Sequence, residues 1–244
     1  MEKKMPSLIN TLKLSLPYIA LLIIGLNIFV YFNITENGIT DNKIIKILTK
    51  DDDTLTRILN KIDVLEKNNK EKNISKYQDK LMSNDNFFLG NKEGSKVIVE
   101  FFDYNCGYCK RSFPELMNLI SGDKNIKVIL KELPVLGESS VLAARASIAS
   151  EKQKKYFAMH QELIKISGQI SEVDIINISK KIGINYDQLK IDMNKDETIL
   201  LINENYRLAD LIGVRGTPAF IINNELIPGS IGKEAMVEIL KNEK

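Results

Sequence analysis

The chain has no tryptophan, one histidine and two cysteines. Cys106, Cys109 and His160 cannot close a four-ligand zinc site within one chain, so a structural zinc module is excluded. Neither sign of charge is in excess: 34 Lys and Arg stand against 32 Asp and Glu, and no nucleic-acid partner is indicated. No internal repeat is visible. The missing Trp and the abundant Ile, Asn and Lys are a compositional bias without functional content. With 44% apolar residues, 244 positions suffice for one domain plus accessory segments.

The two thiols sit together. Cys106-Gly107-Tyr108-Cys109 follows the β-prone run Val97-Ile98-Val99 and Phe101-Phe102 after three intervening residues, and Lys110-Arg111-Ser112-Phe113 opens a helical period. Strand, short turn and helix follow, with Cys106 near the helix N-terminus. Free N–H groups and the helix dipole stabilise an anion there, so Cys106 is expected to ionise below the ordinary thiol value of roughly 8.5. Cys109, one turn on, is more shielded and within disulfide reach. A structural disulfide closing so small a loop would restrict the unfolded chain little, which favours redox work over scaffolding.

Leu14 to Ile34 carries no ionisable side chain except tyrosine, and its strongly polar positions are Asn27 and Asn33. About 20 helical residues cross a bilayer core, so this stretch is long enough to span it. Lys3, Lys4 and Lys13 precede it while Glu36 and Asp41 follow, which places the N-terminus in the cytoplasm and the rest outside. A cleaved signal peptide is the rival reading, although residues 30–35 offer no Ala-x-Ala-like pattern. Ile44, Leu48, Leu55, Ile58, Ile62 and Leu65 then recur at steps of four and three. They make a seam of about three heptads, with Leu and Ile placed as higher-order coiled coils prefer. The same pattern also describes one amphipathic helix lying on the folded domain or on the membrane. Glu66 to Lys72 is expected to be a hinge or a frayed helix end, and Ile74 to Ser83 a short helix.

Further on, Lys96 to Tyr104 and Ile126 to Leu130 read as strands joined through the helix after Cys106, with Pro114 a kink. Helical periods cover Ser140–Gly168, Ser171–Ile182, Tyr186–Met193 and Glu197–Ile212, with Gly183 and Gly213 as stops. Ala219–Ile222 and Glu225–Ile227 form a hairpin turning at Asn223-Asn224, before a last helix from Gly232 to Lys241.

Phe-Phe-Asp-Tyr-Asn-Cys-Gly-Tyr-Cys-Lys, Glu132-Leu133-Pro134-Val135-Leu136-Gly137, Gly216-Thr217-Pro218-Ala219-Phe220 and Leu226-Ile227-Pro228-Gly229 together resemble the DsbA-like members of the thioredoxin-fold superfamily. The resemblance covers roughly Leu81 to Leu240. It implies an α/β thioredoxin fold with a helical domain inserted at about 139–213. The expected organisation is a cytoplasmic tip and transmembrane anchor over 1–35, a helical stalk and linker over 36–80, and the catalytic domain over 81–244. Cys106 is similar to the family's attacking cysteine and Cys109 to its resolving cysteine. Pro218 corresponds to a cis-proline and Thr217 to the residue before it that pairs with bound peptide. Glu100 matches a buried acid that handles the proton of the resolving cysteine. Period two sets Ile98, Glu100 and Phe102 on one strand face and Val97, Val99 and Phe101 on the other, so apolar neighbours are expected to raise the Glu100 pKa. An exposed edge carboxylate is the alternative. His160 is expected to pack or cap in the insertion, since the family's His between the cysteines is here Tyr108.

The expected function is a periplasmic thiol-disulfide oxidoreductase that shuffles or introduces disulfides in exported proteins. Cys-Gly-Tyr-Cys behind a helical extension resembles the ScsC-like trimeric isomerase branch and tilts the expectation toward isomerase. Other readings are a monomeric dithiol oxidase and a Cu(I)-binding module. No cofactor is expected. The expected partners are unfolded or misdisulfided exported proteins, a membrane redox protein, the bacterial inner membrane and further copies of the chain in a homotrimer.

Overall fold

The computed structural model describes residues 52–83 and 87–242. The proposed anchor, Ile44 and Leu48 lie outside the described residues. Among the described residues no helix is long and apolar enough to cross a membrane.

Residues 1–64 and 65–244 are separate units. Helix α1 runs Asp52–Lys76. In the first unit, Leu55, Ile58 and Ile62 of the heptad seam are exposed. In the second unit, Glu66 to Lys72 is helical, which corrects the expected hinge. Tertiary contacts hold it: Lys67 pairs with Glu225 at 3.0 Å, Asn73 Nδ2 donates to the Leu211 carbonyl at 3.0 Å, and Ile74 is buried. A short helix α2 (Gln78–Met82) follows and buries Leu81.

Among the described residues one five-stranded sheet has the order β1-β3-β2-β4-β5. Its strands are β1 (Phe88–Gly90), β2 (Lys96–Phe102), β3 (Ile126–Glu132), β4 (Ala219–Ile222) and β5 (Glu225–Pro228). Only β2 and β3 pair in parallel, joined through α3 (Gly107–Gly122), as a strand–helix–strand crossover requires. Pro114 lies inside α3, which continues past it. The edge strand β1 has only three residues and escaped the sequence reading because so short an apolar piece carries no period. Asn223 and Asn224 take φ of 48° and 65°, the left-handed pair that a two-residue hairpin turn demands.

The period-two reading of β2 holds. Ile98 and Phe102 enter a core shared with α3, while Val99 and Phe101 enter the opposite core with Ile74 and Leu81. β3 is buried along its whole length. Between β3 and β4 lie α4 (Glu138–Ser150), α5 (Tyr156–Leu163), α6 (Glu172–Ile182), α7 (Tyr186–Met193) and α8 (Asp196–Ile212), so the inserted helical region is where the sequence put it. Gly183 and Gly213 end α6 and α8 in the left-handed conformation. The single helical period expected over Ser140–Gly168 is instead broken. A 3-10 turn over Glu151–Gln153 and a left-handed Lys154 (φ 58°) separate α4 from α5, without a Gly or Pro to announce it. Helix α9 (Lys233–Lys241) closes the fold.

Candidate active site

Cys106 is the N-cap of α3, and Cys109 faces inward from its first turn. They are 7% and 1% exposed, and both are free thiols. A buried acid shapes the turn that presents them. Asp103 accepts the N–H of Asn105 at 2.8 Å on one oxygen and that of Leu136 at 2.9 Å on the other, while its own N–H points at Cys109 Sγ, 3.5 Å away. Asn105 in turn donates to Ser139 and Ser140 at 3.0 and 2.9 Å and accepts the Ile170 N–H at 3.2 Å. The thiol turn is thereby tied to the helical insertion. Lys110 adds a second tie through the carbonyl of Ile166.

From the far end of the sequence, the loop before β4 arrives with a cis Thr217–Pro218 peptide. Cys106 Sγ donates to the Thr217 carbonyl at 3.2 Å. Cys106, Thr217 and Pro218 therefore share one surface, and Cys109 lies behind it. The thiol of Cys109 donates to Cys106 and, with the Thr217 side chain and the backbone N–H groups of Cys109 and Tyr108, outweighs burial to hold the Cys106 pKa at about 5. Burial, the hydrogen bond it gives and the charge of Glu100 push Cys109 far upward. One sulfur is a ready thiolate while its neighbour keeps its proton.

Glu100 is 4% exposed in β2, opposite Leu130 and Phe220 on its two partner strands. Burial first and the Cys106 charge second raise its carboxyl to about 8. The exposed-carboxylate alternative is thus set aside, and Glu100 couples through space to both sulfurs.

Behind the thiols, Tyr104 and Glu132 belong to the motif stretches but carry no role from sequence, Tyr156 and Lys131 carry no sequence signal, and His160 packs inside the insertion as expected. Tyr104 is buried, and its hydroxyl meets Ser147 Oγ at 2.6 Å and His160 Nδ1 at 2.9 Å. His160 packs edge-on against Phe102 and Phe113, and burial lowers its pKa to about 3, leaving it neutral. Tyr156 donates to Glu132 Oε1 at 2.7 Å, and burial raises Glu132 to about 7. The other oxygen, Oε2, has no partner among the described residues. On the opposite face of β3, Lys131 is 1% exposed and donates to the carbonyls of Lys80 and Ser83, both at 3.0 Å. It caps the end of α2, where the Ser83 hydroxyl also donates to the Lys80 carbonyl at 2.7 Å. Glu132 was legible as part of a motif, but nothing local told that Tyr156 would reach it. Among the described residues no group of three or more His, Cys, Asp or Glu could hold a metal.

The profile of the DSBA-like thioredoxin domain matches residues 97–241. A thioredoxin-like oxidoreductase from Silicibacter pomeroyi is 37% identical over 67% of this chain and 95% of its own, with a TM-score of 0.64. The thiol-disulfide exchange protein alpha-DsbA2 from Wolbachia pipientis is 30% identical over 73% and 97%, with a TM-score of 0.68. A linker-deletion mutant of ScsC from Proteus mirabilis is 27% identical over 83% and 94%, with a TM-score of 0.71. The curated relatives that match are sodium/proton antiporters. The one from Salinispora arenicola is 27% identical, and the chain spans 23% of its length.

Proposed function

This chain belongs to the DSBA-like thioredoxin domain family, and we propose that it uses Cys106 and Cys109 to shuffle or introduce disulfides in exported proteins, with shuffling the main task. The observation that carries the reading is the Cys106 thiol, held at about 5 beside the Thr217 carbonyl. At neutral pH it is the nucleophile. In shuffling, the Cys106 thiolate attacks a client disulfide, forms a mixed disulfide and releases one client thiolate. That thiolate then attacks a different client disulfide, the client thiolate so released attacks the client sulfur of the mixed disulfide, and Cys106 leaves. If rearrangement stalls, Cys109 attacks Cys106, and Glu100 in its ionised form takes the proton that Cys109 gives up. Two electrons then pass from the dithiol to the client. Oxidation runs the same steps backward from the Cys106–Cys109 disulfide. Thr217 offers its backbone to the client chain.

The lean toward isomerase rests on the exposed apolar residues Leu55, Ile58 and Ile62 of α1. A homotrimer built on that seam would surround one misfolded chain with several thiolates and raise their effective concentration. The apolar stretch Leu14–Ile34 and the lysines before it support an anchor in the bacterial inner membrane with the thiols in the periplasm. A membrane redox protein would then restore the dithiol.

Refolding of scrambled ribonuclease tests the reading. The native chain is expected to restore ribonuclease activity and Cys106→Ser to restore none. Equal recovery with both sinks it.

A further inference from the structure

Beside the Cys106–Thr217 contact the surface opens into a groove of about 730 Å³. Tyr108, Thr217 and Pro218 line its thiol end, and three cations, Lys70, Arg111 and Arg215, line it with no carboxylate among the lining residues. Each cation is held differently. The Arg111 guanidinium lies 4.2 Å from the centroid of the Tyr108 ring, a stack that leaves its N–H edge free to bind. The Lys70 stem crosses Gly213, and a Cβ built there would meet its Cε at 3.4 Å. Arg215 shares one N–H with Asp210 at 2.8 Å, but both side chains are about three-quarters exposed, so water screens that pair. By contrast, Lys67, one turn earlier in α1, is engaged with Glu225 at 3.0 Å.

We propose that this groove selects clients whose reactive cysteine is flanked by Asp or Glu. The inference rests on the thiol-exchange reading above and adds the charge class of the segment exchanged. A client cysteine at Cys106 has its neighbours within reach of the groove, because Thr217 and Pro218 form both the wall beside the thiol and the groove's end. Carboxylates there would meet Arg111 and Arg215 as forked donors and Lys70 as a point charge. The Debye length is about 10 Å at 0.1 M salt, so the three cations act together on a nearby segment only at modest ionic strength.

The test uses peptides with one cysteine capped by a neutral 2-thiopyridyl group and flanked by Glu, Gln or Lys. The Cys106 thiolate attacks the peptide sulfur, the peptide–pyridyl S–S bond breaks, and pyridine-2-thione leaves. Cys109 then attacks Cys106, forms the Cys106–Cys109 disulfide and frees the reduced peptide. Release of the thione gives the rate. With the full chain the Glu peptide is expected to react about tenfold faster than the Lys peptide at low salt, and the gap to close as salt is added. Changing Lys70, Arg111 and Arg215 together to Gln should bring the ratio near one, and Arg215→Glu alone should lower it. The ratio cancels any change in thiolate reactivity, which affects all peptides alike. Equal rates for Glu and Lys peptides in the native chain, or a preference that survives the triple substitution, overturn the proposal. Failure of every peptide to release thione would instead overturn the thiol-exchange reading.

Discussion

The Cys106 thiol and the Thr217 carbonyl lie 3.2 Å apart although 111 residues separate them in sequence. The carbonyl accepts a hydrogen bond only while the thiol keeps its proton, so this bond opposes ionisation. The Cys109 thiol and the Thr217 side chain favour it. Thr217 therefore touches the thiol through two groups of opposite effect.

Removing the Thr217 hydroxyl while keeping its shape separates the two. Thr217→Val is expected to raise the Cys106 pKa, shifting the pH midpoint of iodoacetamide alkylation upward. An unchanged midpoint would assign no role to the hydroxyl.

The reduced and oxidised forms should differ in stability with pH. A thiol near 9 in the unfolded chain and near 5 in the fold contributes stability that is complete above the unfolded value and lost as pH falls through 5. The disulfide form has no such group. The melting midpoint of the reduced form minus that of the oxidised form is expected to rise steadily between pH 5 and pH 9, and a flat difference would count against the lowered thiol.

Glu100 works in the opposite direction. Its folded value near 8 exceeds the ordinary carboxyl value near 4.5, so its contribution to stability is complete below 4.5 and lost as pH rises through 8. Glu100→Gln is expected to match the native chain in denaturant midpoint at pH 4 and to exceed it at pH 8.5. If Glu100 also takes the Cys109 proton, the same variant should slow the step in which Cys109 resolves a mixed disulfide. Stopped-flow thiol release would record that loss.

Tyr156→Phe leaves the buried carboxylate of Glu132 without its donor, at an expected cost of about 1–3 kcal/mol. Glu132 titrates near 7, so the loss should be smaller at pH 5, where the carboxyl is protonated, than at pH 8. Urea unfolding at both values measures it, and a pH-independent loss would mean that Tyr156 acts only through packing.

Glu at Leu55, Ile58 and Ile62 tests the seam. The native chain in detergent is expected to sediment as a trimer and the triple variant as a monomer. Identical sedimentation of the two would remove the reason to favour isomerase.

Features that depend on near neighbours are legible in the order of residues. The Cys-x-x-Cys pair at a helix start follows from the β-prone run before it and the helical period after it. The two faces of β2, the Asn-Asn hairpin and the glycine stops of α6 and α8 likewise depend on neighbours a few residues away. Tertiary structure decided what depends on distance through space and on exclusion of water. It brought Thr217 to Cys106 and Tyr156 to Glu132. It kept Glu66–Lys72 helical through contacts with the hairpin and α8, and broke the expected Ser140–Gly168 helix at Lys154. The proton affinities of Cys106, Glu100 and Glu132 belong to the same class: burial and the groups packed around each one set them, and neither can be read from the order of residues along the chain.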